Sequence, residues 1–241
     1  MQARQRSMES GIIGRAVAAG LAAALFGAGL GTFHYARLPG AEALDWGWLA
    51  LAIAGFAIFA GALGGLGLGG ATAWAVQSAG GARKVGAVRM VLAGVVGGLV
   101  GAIAPGIFGI AGFGSLEAPY AGTGNLVFCL LVTSTTFVSL WAPVLWRVGG
   151  HRPIAWAEHL GLSALAASLA IASLGILGAT LCTSLGFVPT FDWLVEVTMT
   201  IGLVPLAIVA SSIIAATLGA AMGFACWLYL SVAIVLEPRL R

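Results

Sequence analysis

The sequence predicts an all-α integral membrane protein: a six-span bundle of glycine-rich transmembrane helices with short loops and both termini cytoplasmic. Three observations carry that expectation. Sixty per cent of the 241 residues are hydrophobic and 8% charged, with a mean hydropathy of +1.05, far from the balance of soluble proteins. Uncharged apolar runs of membrane-spanning length recur along the chain. The basic residues gather on alternate connections.

Arg4, Arg6 and Arg15 precede or open the first apolar run, which places span one at 12–32. The outline resembles a secretory signal peptide, with Gly29-Leu30-Gly31 as a small-residue cleavage site. The run is long enough to span, however. Gly20, Ala24 and Ala28, together with Gly27 and Gly31, suit packing inside a bundle, so an uncleaved span is expected. A polar connection from His34 to Asp45 leads to span two at 46–76, which starts at Trp46 and Trp48. At about 1.5 Å per residue this span exceeds a hydrocarbon core of about 30 Å and must tilt, bend or emerge.

Span two carries Ala57, Gly61, Gly65 and Gly69, four residues apart. A small basic turn, Gly80-Gly81-Ala82-Arg83-Lys84, joins it to span three at 88–112, where Gly94, Gly98, Ala102 and Gly106 repeat the spacing. Residues four apart share a helix face, so both stripes are expected to pack against other helices at close backbone approach. Pro105 predicts a kink. Span four, 123–146, follows a loop with Glu117 and Pro119, and it ends at Pro143 and the turn Gly149-Gly150-His151-Arg152-Pro153. Span five is placed at 160–183 and span six at 198–235. Pro205 allows the last to be two pieces, an approach helix up to Leu203 and a spanning helix after it.

No connection is longer than about 15 residues, whereas a self-standing domain needs about 50. Residues 1–241 therefore read as a single transmembrane domain with no ATPase or dinucleotide-binding domain of its own. With the N-terminus inside, Arg4, Arg6, Arg15, Arg83, Lys84, Arg89, Arg147, Arg152, Arg239 and Arg241 are cytoplasmic and only Arg37 is outside. That orientation predicts a multi-pass protein of a bacterial inner (plasma) membrane. Trp46, Trp48 and Trp193 are expected at the outer interface, and Trp74, Trp146 and Trp156 at the inner one. Two sets of three spans would permit an inverted repeat, but the first half is rich in glycine and the second in serine and threonine.

No acidic, basic or histidine side chain falls near the middle of a predicted span, where ion-coupled carriers usually hold one. His34 is placed outside, while His151 and His159 lie near the inner surface, wetted or capping; His159 beside Glu158 is expected to anchor span five. Gly112-Phe113-Gly114-Ser115 resembles the surroundings of an intramembrane serine nucleophile, but no later predicted span supplies a base. Cys129, Cys182 and Cys226 lack metal-ligand spacing. No catalytic group, metal or cofactor is expected, and a net charge of +3 does not point to nucleic acid.

The polar residues that remain form a hydroxyl band: Thr133, Thr136 and Ser139 on span four, Ser168 and Ser173 on span five, and Ser211, Ser212 and Thr217 on span six. Asn125 lies near the outer end of span four. Such a band either lines a path for a small polar solute or returns its protons to backbone carbonyls. The first alternative makes the chain permease-like, or the membrane component of a transport system without its own ATPase or an intramembrane coupling carboxylate. The second makes it a non-catalytic structural or assembly subunit of a larger membrane complex. The expected partners are the lipid bilayer and other membrane subunits or further copies of the chain.

Overall fold

The computed structural model describes residues 2–35, 46–101, 136–138, 140–147, 154–184, 199–200 and 202–237. Nearly all of these are helical. Helix α1 spans Gln2–Tyr35, α2 Trp46–Ser78, α3 Ala87–Gly101, α4 Trp156–Ser184 and α5 Leu203–Leu236, with a further helical stretch over 140–147. Among the described residues four stretches are long and apolar enough to cross a membrane: Gly11–Leu30, Ala57–Ser78, Trp156–Leu177 and Ala215–Leu236. Apolar residues surround these helices instead of forming one stripe, as expected of helices whose outer face meets lipid.

Helix boundaries follow local chemistry. Helix α2 runs for 33 residues, about 50 Å, and stops at the predicted glycine pair. The N–H of Gly80 donates to the carbonyl of Gln77 at 2.9 Å, and that of Gly81 to Val76 at 3.0 Å. This crossed pair satisfies the last carbonyls of the helix and needs a left-handed residue after it; Gly80 supplies φ +74°. A 3₁₀ turn at Ala82–Lys84 then delivers the chain to α3. Gly202, at φ +89°, separates α5 from helical residues 199–200. Pro205 lies in the first turn of α5, where its missing N–H has no helical partner to lose.

Two boundaries differ from expectation. Helix α1 continues well ahead of the predicted span start, back to Gln2. Helix α4 begins at Trp156 instead of 160, because the Glu158 carboxylate accepts the N–H of Ala155 at 3.3 Å. That is one half of a capping box, which starts the helix a turn early. The rest of predicted span three, including Pro105, and most of span four lie outside the described residues.

The helices touch in the order α1–α2–α3–α5–α4, with α1–α2 and α3–α5 the most extensive contacts. Both are backbone approaches. A Cβ placed on Gly65 would lie 2.8 Å from the Cα of Val17, and one on Gly61 would lie 2.7 Å from the Cβ of Ala24. Gly94 and Gly98 face α5: a Cβ on Gly98 would lie 3.1 Å from the Cα of Gly219, and one on Gly223 would lie 3.3 Å from the Cα of Gly94. Helices α2 and α3 meet on other faces, where a Cβ on Gly97 would sit 2.6 Å from the Cα of Leu68. No ordinary side chain fits at such separations, so packing depends on the missing Cβ atoms. The α1–α2 and α3–α5 seams are antiparallel, since low numbers on one helix meet high numbers on the other.

Larger side chains fill the core at one end. Trp141, Trp146, Tyr229, Met90 and Leu145 are fully buried, with Ala16, Ala170 and Ala233 between them. Trp146 was expected at the membrane interface, yet it is 1% exposed. Trp74 and Trp156 are exposed, at 64% and 59%. Trp146 differs because the 140–147 stretch turns it inward with Trp141 and Leu145.

Candidate functional site

Side chains of mixed polarity converge where the basic ends of the helices meet. Arg15 lies on α1, immediately before fully buried Ala16, and Arg147 ends the 140–147 stretch. Because α4 starts at Trp156, His159 falls in its first turn and shares a buried face with Ser163, Ala166 and Ala170, at helical spacings of four, seven and eleven residues. Arg15, Pro143, Val144, Trp146, Arg147 and His159 line a cleft of about 200 Å³.

His159 is 6% exposed and is not the wetted group expected. Its Nδ1 is hydrogen-bonded to the hydroxyl of Tyr229 on α5, and the two rings stack at 5.7 Å between centroids with 19° between planes. This pair joins α4 to α5 by a specific polar contact. Tyr229 is absent from the sequence-based set because nothing local marks it: it is one aromatic in an apolar helix, 70 residues away. One turn beyond His159, the Ser163 hydroxyl is fully buried and has no hydrogen-bond partner among the described residues. The same holds for the indole N–H of Trp141 and the amide nitrogen of Gln77. At this end of the bundle, Arg83 also pairs with Glu237 just beyond α5, at 2.6 Å.

The hydroxyl band divides. Ser173 donates to the carbonyl of Leu169 at 2.7 Å, and Thr217 donates to Ile213 at 2.8 Å; both are exposed. Ser168 is exposed, whereas Thr136 and Ser212 are half-buried. Ser211 belongs to α5. Asn125, Thr133 and Ser139 lie outside the described residues, as do Ala102 and Gly106 of the packing stripes. Within those stripes Ala57 is buried, Gly61, Gly65 and Gly69 lie along α1, and Gly94 and Gly98 lie along α5.

Two small-residue features escaped sequence reading. Ala215, Gly219 and Gly223 on α5 form a four-residue repeat that mates with α3, and its spacing is plain in the sequence. Gly67 and Gly97 join α2 to α3, and each lies in a second set of small residues four apart on its helix, Gly67-Ala71 and Ala93-Gly97-Gly101. The architecture is that of a helical bundle in which four of the described helices are long and apolar enough to cross a membrane. Compared with known proteins, the chain matches no family model, no curated protein and no solved structure.

Proposed function

We propose that the chain is a six-span protein of a bacterial inner membrane, both termini cytoplasmic, acting as a non-catalytic structural or assembly subunit of a larger membrane complex. The observation that carries this reading is the bonding of Ser173 and Thr217 to their own helix backbones on exposed faces. Such hydroxyls have spent their proton and offer little to a passing solute. Further support comes from the backbone-to-backbone seams at α1–α2 and α3–α5, which favour a rigid body over helices that must part. The apolar face that α4 leaves open, with Leu165, Leu169 and Ile176, suits lipid or a neighbouring subunit.

The test is the mass of the purified protein in mild detergent together with its co-purifying chains. A stable heteromer is expected; a monomer alone, under conditions that retain known complexes, refutes the subunit role. Topology is tested separately. Single cysteines at Arg83 and Gly150 should be protected from an impermeant reagent in intact cells, while those at Glu42, Glu117 and Asp192 should react. Labelling at Gly150 with protection at Glu117 refutes the orientation.

A permease-like role is the second reading. It is favoured by half-buried Thr136 and Ser212 and by the buried hydroxyl of Ser163, which has no hydrogen-bond partner among the described residues. Under this reading Thr136→Val weakens solute binding by about 5- to 150-fold with the fold intact. Under the subunit reading Thr136→Val and Ser212→Ala both assemble and melt like the parent.

A further inference from the structure

We propose that the cleft between α1, the 140–147 stretch and α4 binds a phosphate group, through the guanidinium groups of Arg15 and Arg147 and the imidazole of His159. Three observations converge on this. First, the two arginines come from segments more than a hundred residues apart in sequence, yet they line one cleft. Second, neither has an ion-pair partner among the described residues. The nearby Glu158 carboxylate holds the Ala155 N–H, and Glu237 holds Arg83. Third, the pairing with Tyr229 fixes the buried imidazole and occupies Nδ1, leaving Nε2 as the ring's remaining polar atom.

Two guanidinium groups around a small cleft match the several acceptor oxygens of a phosphate, which arginine binds through paired N–H donors. The size agrees. About 200 Å³ lies below the range of about 300–1,000 Å³ typical for drug-sized organic ligands, which leaves room for a headgroup or a single anion. Two sources of phosphate fit this chemistry: an anionic phospholipid, for which basic pockets between membrane helices are a recurrent site, and free phosphate. Exposed Trp156 marks the lipid–water boundary on α4, two residues before Glu158. The proposal holds whether the bundle is a subunit or a carrier.

The experiment uses the full chain in detergent, with native mass spectrometry during titration by dioleoylphosphatidylglycerol or dioleoylphosphatidylcholine. The parent should prefer the anionic lipid. Arg15→Gln and Arg147→Gln should each weaken its binding by about 5- to 100-fold, while Arg83→Gln, which removes a charge outside the cleft, should leave it unchanged. Arg15→Lys should recover part of the loss. Melting in phosphatidylcholine alone checks that each variant is folded. Inorganic phosphate is the second probe, compared with chloride at equal ionic strength. Phosphate that raises the parent's melting temperature and displaces the lipid supports the site with free phosphate as its source. Lipid retained against phosphate supports the site with a headgroup as its source. Equal binding of both lipids without protection by phosphate would overturn the proposal, as would equal losses in Arg83→Gln and the cleft variants.

Discussion

Where α3 crosses α5, Gly94 and Gly98 meet Gly219 and Gly223 backbone to backbone, whereas Gly161 and Gly175 on α4 face nothing within 4 Å. The residue type is the same and the consequence is opposite. At the crossing, each helix supplies small residues four apart, so two smooth faces come into register and carbonyls approach α-carbons. Helix α4 instead meets α5 through a polar aromatic pair and buried alanines, and its C-terminal half leaves Ser173, Ile176 and Leu177 exposed. A glycine in a membrane helix thus marks an interface only when a matching stripe lies opposite. Of the stretches long and apolar enough to cross a membrane, that of α2 is 44% buried and that of α4 only 24%, so damage should be far greater in the glycine seams than on α4.

The largest effect is expected from leucine in a seam. Gly98→Leu and Gly61→Leu each drive a branched side chain into a facing backbone, so folded protein should be lost in detergent, read by size-exclusion recovery and helicity. Phe59→Leu, on an exposed position, should be recovered normally. Parental stability of both glycine variants would break the comparison at its root.

Alanine sharpens it. A Cβ on Gly219 would lie 3.0 Å from the Cα of Gly98 and still closer to the Gly94 backbone. Overpacking of this kind typically costs about 1–3 kcal/mol, and Gly219→Ala should lower the melting temperature accordingly. Gly175→Ala meets open space and should be neutral or gain up to about 1 kcal/mol from helix propensity. If both lowered stability equally, glycine would be needed for something other than close packing.

The α4–α5 contact offers a test of comparable size confined to one pair. Tyr229→Phe leaves the buried His159 ring nitrogen without its partner and should cost about 1–3 kcal/mol in chemical unfolding. Ser163→Ala, one turn away, removes a buried hydroxyl that has no partner among the described residues and should be neutral or stabilising. A loss at Ser163 as large as that at Tyr229 would mean the hydroxyl is bonded after all. The smallest effect is expected at the exposed Arg83–Glu237 pair. Arg83→Gln should cost no more than about 1 kcal/mol, and the difference should shrink as salt is added.

Much of the bundle was legible because a bilayer imposes blunt rules. The apolar runs, the glycine pair ending α2 and the break ahead of α5 follow from hydropathy, from left-handed glycine and from helix termini, all of which act within a few residues. Helical spacing alone was also enough to mark Gly61, Gly65, Gly94 and Gly98 as small-residue faces. It did not say which face meets which helix, since every helix here carries small residues. Only the folded chain pairs Gly94 with Gly219, and Gly67 with Gly97.

The sequence by itself determined helical class, apolar lengths, turn chemistry and the clustering of basic residues between spans, because each is a property of neighbours along the chain. The tertiary structure alone decided that Trp146 is core and Trp156 is surface, that His159 bonds to Tyr229, and that Arg15 and Arg147 share a cleft. Those outcomes depend on contacts across 70 residues or more. In a chain that is apolar on every side, periodicity cannot tell a lipid-facing position from a buried one.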